Sequence, residues 1–126
     1  MDILPLFPLK LVLLPYEILP LHIFEPRYKK MVKNAIEDKQ PFGIVLKEEA
    51  GVYKRGCRVE ITKVLQNYPN GEYDIIVKGI ERFKVLSTEK DGDMVFGQIE
   101  YIPISIETDL KLIDDVQDSY LKILLR

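Results

Sequence analysis

The chain has one cysteine, one histidine and no run of charge of one sign, and each scarcity excludes something. A lone thiol, Cys57, forms no intrachain disulfide, so nothing marks the sequence as built for an oxidising compartment, and a cytoplasmic location is expected. A single imidazole, His22, with no second histidine or cysteine near it makes a poor metal shell, even with Glu17 and Glu25 in the neighbourhood. No metal and no cofactor are expected. The net charge is -2, without the cationic surplus that draws a protein onto phosphate backbones, which makes nucleic acid an unlikely partner. There is no glycine-rich loop ending in lysine and serine or threonine, hence no nucleotide site. No uninterrupted apolar run is long enough to span a bilayer. The leucine-rich start carries Asp2, Lys10 and Glu17 and is broken by Pro5, Pro8, Pro15 and Pro20, and its charge order does not suit a signal peptide.

What is present is globular. Hydrophobic residues make up 47% and charged residues 30% of 126 residues, enough for one core. Ile3 to Phe7 is short, apolar and flanked by proline, which suits a first or edge strand. Ile18 to Phe24 is a second run, and Pro8 to Glu17 between them is apolar but irregular. From Pro26 the period becomes helical: Tyr28, Met31, Val32, Ala35 and Ile36 share a face, and Gln40-Pro41 marks the stop, giving one amphipathic helix of about three turns. Phe42 to Leu46 reads as a strand. Cys57, Val59 and Ile61 then alternate with Arg58, Glu60 and Thr62, the period of a strand with one buried face. Tyr68-Pro69-Asn70-Gly71 predicts a type I turn with a glycine bulge, returning through Tyr73, Ile75 and Val77. A further hairpin, Glu81 to Thr88 and Met94 to Ile102, turns at Asp91-Gly92. Past Pro103, Leu110, Ile113, Val116, Tyr120 and Ile123 recur at helical spacing behind Thr108 as N-cap, with Leu121, Leu124 and Leu125 widening the apolar surface. The expected organisation is a β domain over 1–105 and the start of a helical extension over 106–126, the latter a place for self-association.

These residues together resemble a known family. Leu4-Pro5-Leu6-Phe7-Pro8-Leu9, Leu14-Pro15, Leu19-Pro20-Leu21-His22-Ile23-Phe24-Glu25-Pro26-Arg27-Tyr28, Gly56-Cys57, Gly79 and Arg82-Phe83 are similar to the Lon N-terminal substrate-binding domain, found at the start of ATP-dependent Lon proteases and as free-standing proteins. The Leu21 to Tyr28 stretch looks more like the free-standing members. Tyr16 departs from the pattern, since the family commonly has glycine after Leu-Pro. The resemblance implies an α+β fold, mostly antiparallel β: a PUA-like curled sheet or pseudobarrel with one helix and a helical extension after it. It also implies a non-catalytic module that binds exposed hydrophobic or unfolded polypeptide segments.

The site expected from the residues is the apolar loop, with Leu11, Leu13, Leu14, Pro15 and Tyr16 presented to a peptide, against the plainer possibility that they cap the barrel end. Phe7, Phe24 and Phe42 are expected in the core, and Cys57 as a buried, inert thiol. Arg27, Lys29, Lys30 and Lys33 read as the solvated face of the helix, with an RNA surface as the alternative. Glu25 and Arg27 are expected to anchor the helix start. Ser119 and Lys122, one helical turn apart, match a nucleophile and base pair only at a spacing common by chance, so no catalysis is expected.

Overall fold

The computed structural model describes residues 2–48 and 53–103. Six strands and one helix follow in the order β1 (Asp2–Leu9), β2 (Ile18–Ile23), α1 (Pro26–Asp38), β3 (Phe42–Leu46), β4 (Arg55–Asn67), β5 (Tyr73–Asp91) and β6 (Met94–Tyr101). The helix begins where Pro26 needs no backbone partner and ends at Lys39, which turns left-handed at φ 52. The helical extension expected past Pro103, with Ser119 and Lys122, lies outside the described residues.

β5 organises the sheet. Its first half pairs with β2 along Tyr73 to Lys78 and its second half with β6 along Phe83 to Asp91. β4 runs along Tyr73 to Lys84. Tyr73 to Lys78 are paired with β4 and β2 at once, and Phe83 and Lys84 with β4 and β6 at once, so β2 and β6 share one edge of β5, end to end. β6 pairs in turn with β1, β1 with β3 and β3 with β4, so β1, β3, β4, β5 and β6 close a ring and leave β2 attached to β5 alone. Ring closure removes most of the unpaired edges that a sheet otherwise exposes.

One detail differs from what the sequence predicts. The hairpin arms at Tyr73 and Glu81 are one strand of 19 residues, because no turn residue interrupts them and both neighbours lie on the same edge. β1 is the first strand, and its two halves are divided between two neighbours. It pairs antiparallel with β6 through Asp2 to Pro5 and parallel with β3 through Leu6 to Leu9. Each half of β1 has a single paired side, and this is how Pro5 and Pro8, lacking an N–H, are accommodated.

Adjacent residues on the strands feed two apolar clusters, as the alternation of a pleated strand requires. Phe7, Leu13, Ile23, Tyr28, Met31, Val32, Phe42, Ile44, Cys57, Val59, Tyr73, Ile75 and Val77 form the larger, under α1. Leu4, Leu6, Val45, Phe83 and Ile99 form the smaller. The fully buried Phe83 ring fills its space so closely that a Cβ on Gly43 or Gly56 would lie 2.6 or 2.7 Å from Cζ. Gly56 and Phe83 of the family pattern are therefore two halves of one packing arrangement.

Candidate functional site

The loop between β1 and β2 ends in a tight turn over Leu14, Pro15, Tyr16 and Glu17. Glu17 N donates to Leu14 O at 3.1 Å, proline occupies the second position, and the third, Tyr16, has φ 70. These are the marks of a type II turn, whose third position favours glycine. The Glu17 carboxylate closes the turn from the other side, accepting from Leu14 N at 2.8 Å. The turn is laid against β5 in the interval between β2 and β6: Tyr16 N donates to Gly79 O at 2.7 Å and Gly79 N to Glu17 O at 2.9 Å.

This anchoring divides the five loop residues. Leu13 and Leu14 point inward, 6% and 4% exposed, Leu13 into the larger cluster with Leu11 packed partly against it. Pro15 is half-buried, while Tyr16 is 70% exposed with Lys78 Nζ 5.6 Å from its ring centroid. The stretch Leu11 to Leu14 also forms one wall of a cleft of about 410 Å³, faced by Ile44, Leu46, Phe83 and Ile102.

The row begun by Tyr16 continues on β2. Ile18, Pro20, His22 and Phe24 all point to solvent, Ile18 at 67% and Phe24 at 59% exposed. Phe24 is thus outside the core, contrary to the expectation, because it falls on the outward parity of β2 just past its last paired residue, Ile23. It stacks on His22, ring centroids 5.9 Å apart at 23°.

His22 fastens the β4–β5 turn to β2. Nδ1 lies 2.6 Å from Asp74 Oδ1 and Nε2 lies 3.0 Å from Glu72 Oε1. Tyr68 Oη donates to Asp74 Oδ2 at 2.5 Å, and Asn70 Nδ2 donates to Glu72. The Asp74 hydrogen bond foremost, with the charges of both carboxylates, raises the imidazole pKa above its ordinary 6.5. The Tyr68 hydroxyl and then His22 lower that of Asp74. The histidine's acidic partners are thus on a neighbouring strand and turn, not the sequence-near Glu17 and Glu25. Among the described residues no group of histidine, cysteine and carboxylate side chains is placed to hold a metal ion.

Other singled-out residues have structural surroundings. Cys57 is 1% exposed and burial pushes its thiol up to about 11. Arg27 Nε donates to Glu25 at 3.1 Å and Nη1 to Asp93 O at 3.3 Å, with its guanidinium over Tyr28, so the pair does fasten the helix start. Lys29 Nζ donates to Asn70 O at 3.0 Å, while Lys30 and Lys33 are exposed. No helix among the described residues is long and apolar enough to cross a membrane.

The outward row on β2 was not singled out from the sequence, although its signal is there: Ile18, Pro20, His22 and Phe24 alternate with Leu19, Leu21 and Ile23. Both sets are largely apolar, so the period-two pattern that usually marks the wet face carries no polarity contrast.

Comparison with known proteins agrees with this architecture. The family model of the ATP-dependent protease La (LON) substrate-binding domain matches residues 3–126. The Lon protease of Anaeromyxobacter dehalogenans is 28% identical over 98% of this chain, and that of Parabacteroides distasonis 27% identical over 98%. The chain spans 15% and 16% of those proteases' own lengths. Among solved structures, a Lon N-terminal domain protein from Xanthomonas campestris superposes with a TM-score of 0.73 at 29% identity, over 82% of this chain and 61% of that one. The N-terminal domain of the Mycobacterium avium complex Lon protease gives 0.65 at 15% identity over 82% and 56%, a likeness of fold. With a family model covering nearly its whole length, a matching sheet and the Leu-Pro turn seated on Gly79, the chain belongs to the LON substrate-binding domain family.

Proposed function

We propose that this domain is a non-catalytic recognition module of the cytoplasm that takes hold of apolar segments of unfolded polypeptides, and that the face it uses is the row Tyr16, Ile18, Pro20 and Phe24. The observation that carries the reading is the exposure of that row: Tyr16 in the turn before β2, Ile18 at its start and Phe24 just past its end, each more than half open to solvent, on a domain whose family is named for substrate binding. Single exposed apolar residues are ordinary on protein surfaces, whereas a contiguous file marks a contact surface.

Energetics support weak, broad recognition. Covering apolar surface yields about 25 cal/mol per Å² before the cost of ordering the partner. A file of three large side chains then supports micromolar rather than nanomolar affinity. Such affinity suits a module that samples many chains and releases most of them. The cleft walled by Leu11 to Leu14 supplies a further apolar recess, and the burial of Leu13 and Leu14 holds the loop in place.

The test is a titration of the domain into fluorescein-labelled, reduced and carboxymethylated lactalbumin, read by anisotropy. Saturable binding in the micromolar range is expected, and native lactalbumin should not compete. No saturable change at high micromolar concentration overturns the reading.

A further inference from the structure

Resting on the function just proposed, we propose how the polypeptide is held: it pairs with the free edge of β2 as an added strand, through backbone hydrogen bonds made by Ile18, Pro20 and His22. The hydrogen-bond parity of β2 identifies these residues. Gly79 N donates to Glu17 O, and Ile18 is registered with Lys78. In an antiparallel ladder that bond places Ile18 and Lys78 in a pair without mutual hydrogen bonds, and the alternation puts Leu19, Leu21 and Ile23 in the bonded positions facing β5. The backbone groups of Ile18, Pro20 and His22 therefore face away from β5. Pro20 fits that assignment, because a residue with no N–H costs the β2–β5 ladder nothing there. Among the described residues β2 pairs with β5 only, and no hydrogen bond reaches the backbone of these three residues.

The edge selects its occupant. It offers the N–H groups of Ile18 and His22 and the carbonyls of Ile18, Pro20 and His22, so a complementary segment contributes one more donor than acceptor. A second copy of β2 offers the same set and fails that match, and it also brings a second proline into a strand of six residues. An extended chain without proline at the donor positions supplies the match. Its side chains would lie beside Ile18 and Phe24 on the outer face and beside the partly buried Leu19 and Leu21 on the inner one. Leucine and β-branched residues on both faces are thereby favoured. Because the main chain makes the bonds, side-chain identity is read loosely, which is what a module serving many unfolded chains requires.

Amide hydrogen exchange on the whole chain tests this, with an acetylated peptide of alternating leucine and threonine as probe and the same peptide N-methylated at alternate residues as control. Saturation with the probe should slow exchange at Ile18 and His22 at least tenfold, leave Leu19 and Leu21 as they were, and the N-methylated peptide should bind at least tenfold more weakly. If both peptides bind alike and the amides of Ile18 and His22 do not change, strand addition is overturned while polypeptide recognition by the outward row survives. If neither peptide nor unfolded lactalbumin binds, recognition itself fails. If those two amides slow in the free protein as its concentration rises, the edge belongs to a second copy and the proposal is wrong.

Discussion

Gly79 and Leu14 approach so closely that a Cβ on the glycine would lie 2.4 Å from the Leu14 carbonyl oxygen and 3.2 Å from Cys57 Sγ. This contact seats the Leu14–Glu17 turn in the interval between β2 and β6, and through it the first residue of the outward row. Backbone cannot retreat as a flexible side chain can. Gly79→Ala should therefore lower stability by about 1–3 kcal/mol, the usual cost of forcing extra volume into a packed site. Urea unfolding of the variant measures it, and an unchanged midpoint contradicts the packing described.

Tyr16 occupies the third position of a type II turn at φ 70, where a side chain costs about 1 kcal/mol that glycine does not incur. Tyr16→Gly should raise stability by about 0.5 kcal/mol, part of the relief being offset by the greater freedom of glycine in the unfolded chain. The same change removes a member of the outward row, so stability and polypeptide affinity should move in opposite directions. Thermal unfolding and the anisotropy titration, run on one preparation, separate the two effects.

The His22 clamp makes stability depend on pH. Because the folded protein holds the imidazole proton more tightly than the unfolded chain does, the clamp's contribution is complete below the unfolded value near 6.5 and is lost as pH rises through the raised folded value. Asp74 works in the other direction: its pKa is lowered from 3.8, so its contribution is present above that value and lost as pH falls through the lowered one. The difference in unfolding midpoint between the wild type and His22→Gln should be largest between about pH 5 and 6 and should shrink above 6.5. A difference that is flat in pH contradicts the clamp.

Cys57 should be silent towards alkylation in the folded protein. Moving its pKa from 9.0 to about 11 leaves about a hundredfold less thiolate at pH 8, and burial adds a steric barrier. Iodoacetamide followed by mass measurement should label the thiol only once denaturant unfolds the chain.

Elements with a local signature were readable from the sequence, and arrangements that depend on distant partners were not. Pro26 with its helical spacing and the Pro69-Asn70-Gly71 turn depend on neighbouring residues, and both are found: α1 runs from Pro26, and Gly71 N donates to Tyr68 O with Gly71 at φ 87. The parallel pairing of β1 with β3 joins residues separated by β2 and α1, and nothing local announces it. The same holds for β5, whose continuity is set by β2 and β6 lying end to end along it. In the loop, Leu13 and Leu14 look as available as Tyr16 when written in a line. Only the bonds to Gly79 show which are held inward. Hydrophobicity alone suggests burial for Phe24, whereas strand parity turns it to solvent. The helical spacing past Pro103 lies outside the described residues.

Polypeptide recognition by this domain rests on Tyr16, Ile18 and Phe24, the exposed side chains of the outward row. The most direct measurement is the affinity of labelled, unfolded lactalbumin for the wild type beside a variant combining Tyr16→Ser, Ile18→Thr and Phe24→Ser. Circular dichroism and urea unfolding should show that the variant keeps the fold, since all three side chains are exposed. The variant should lose at least tenfold in affinity; equal binding by the two proteins would show that polypeptide meets another face.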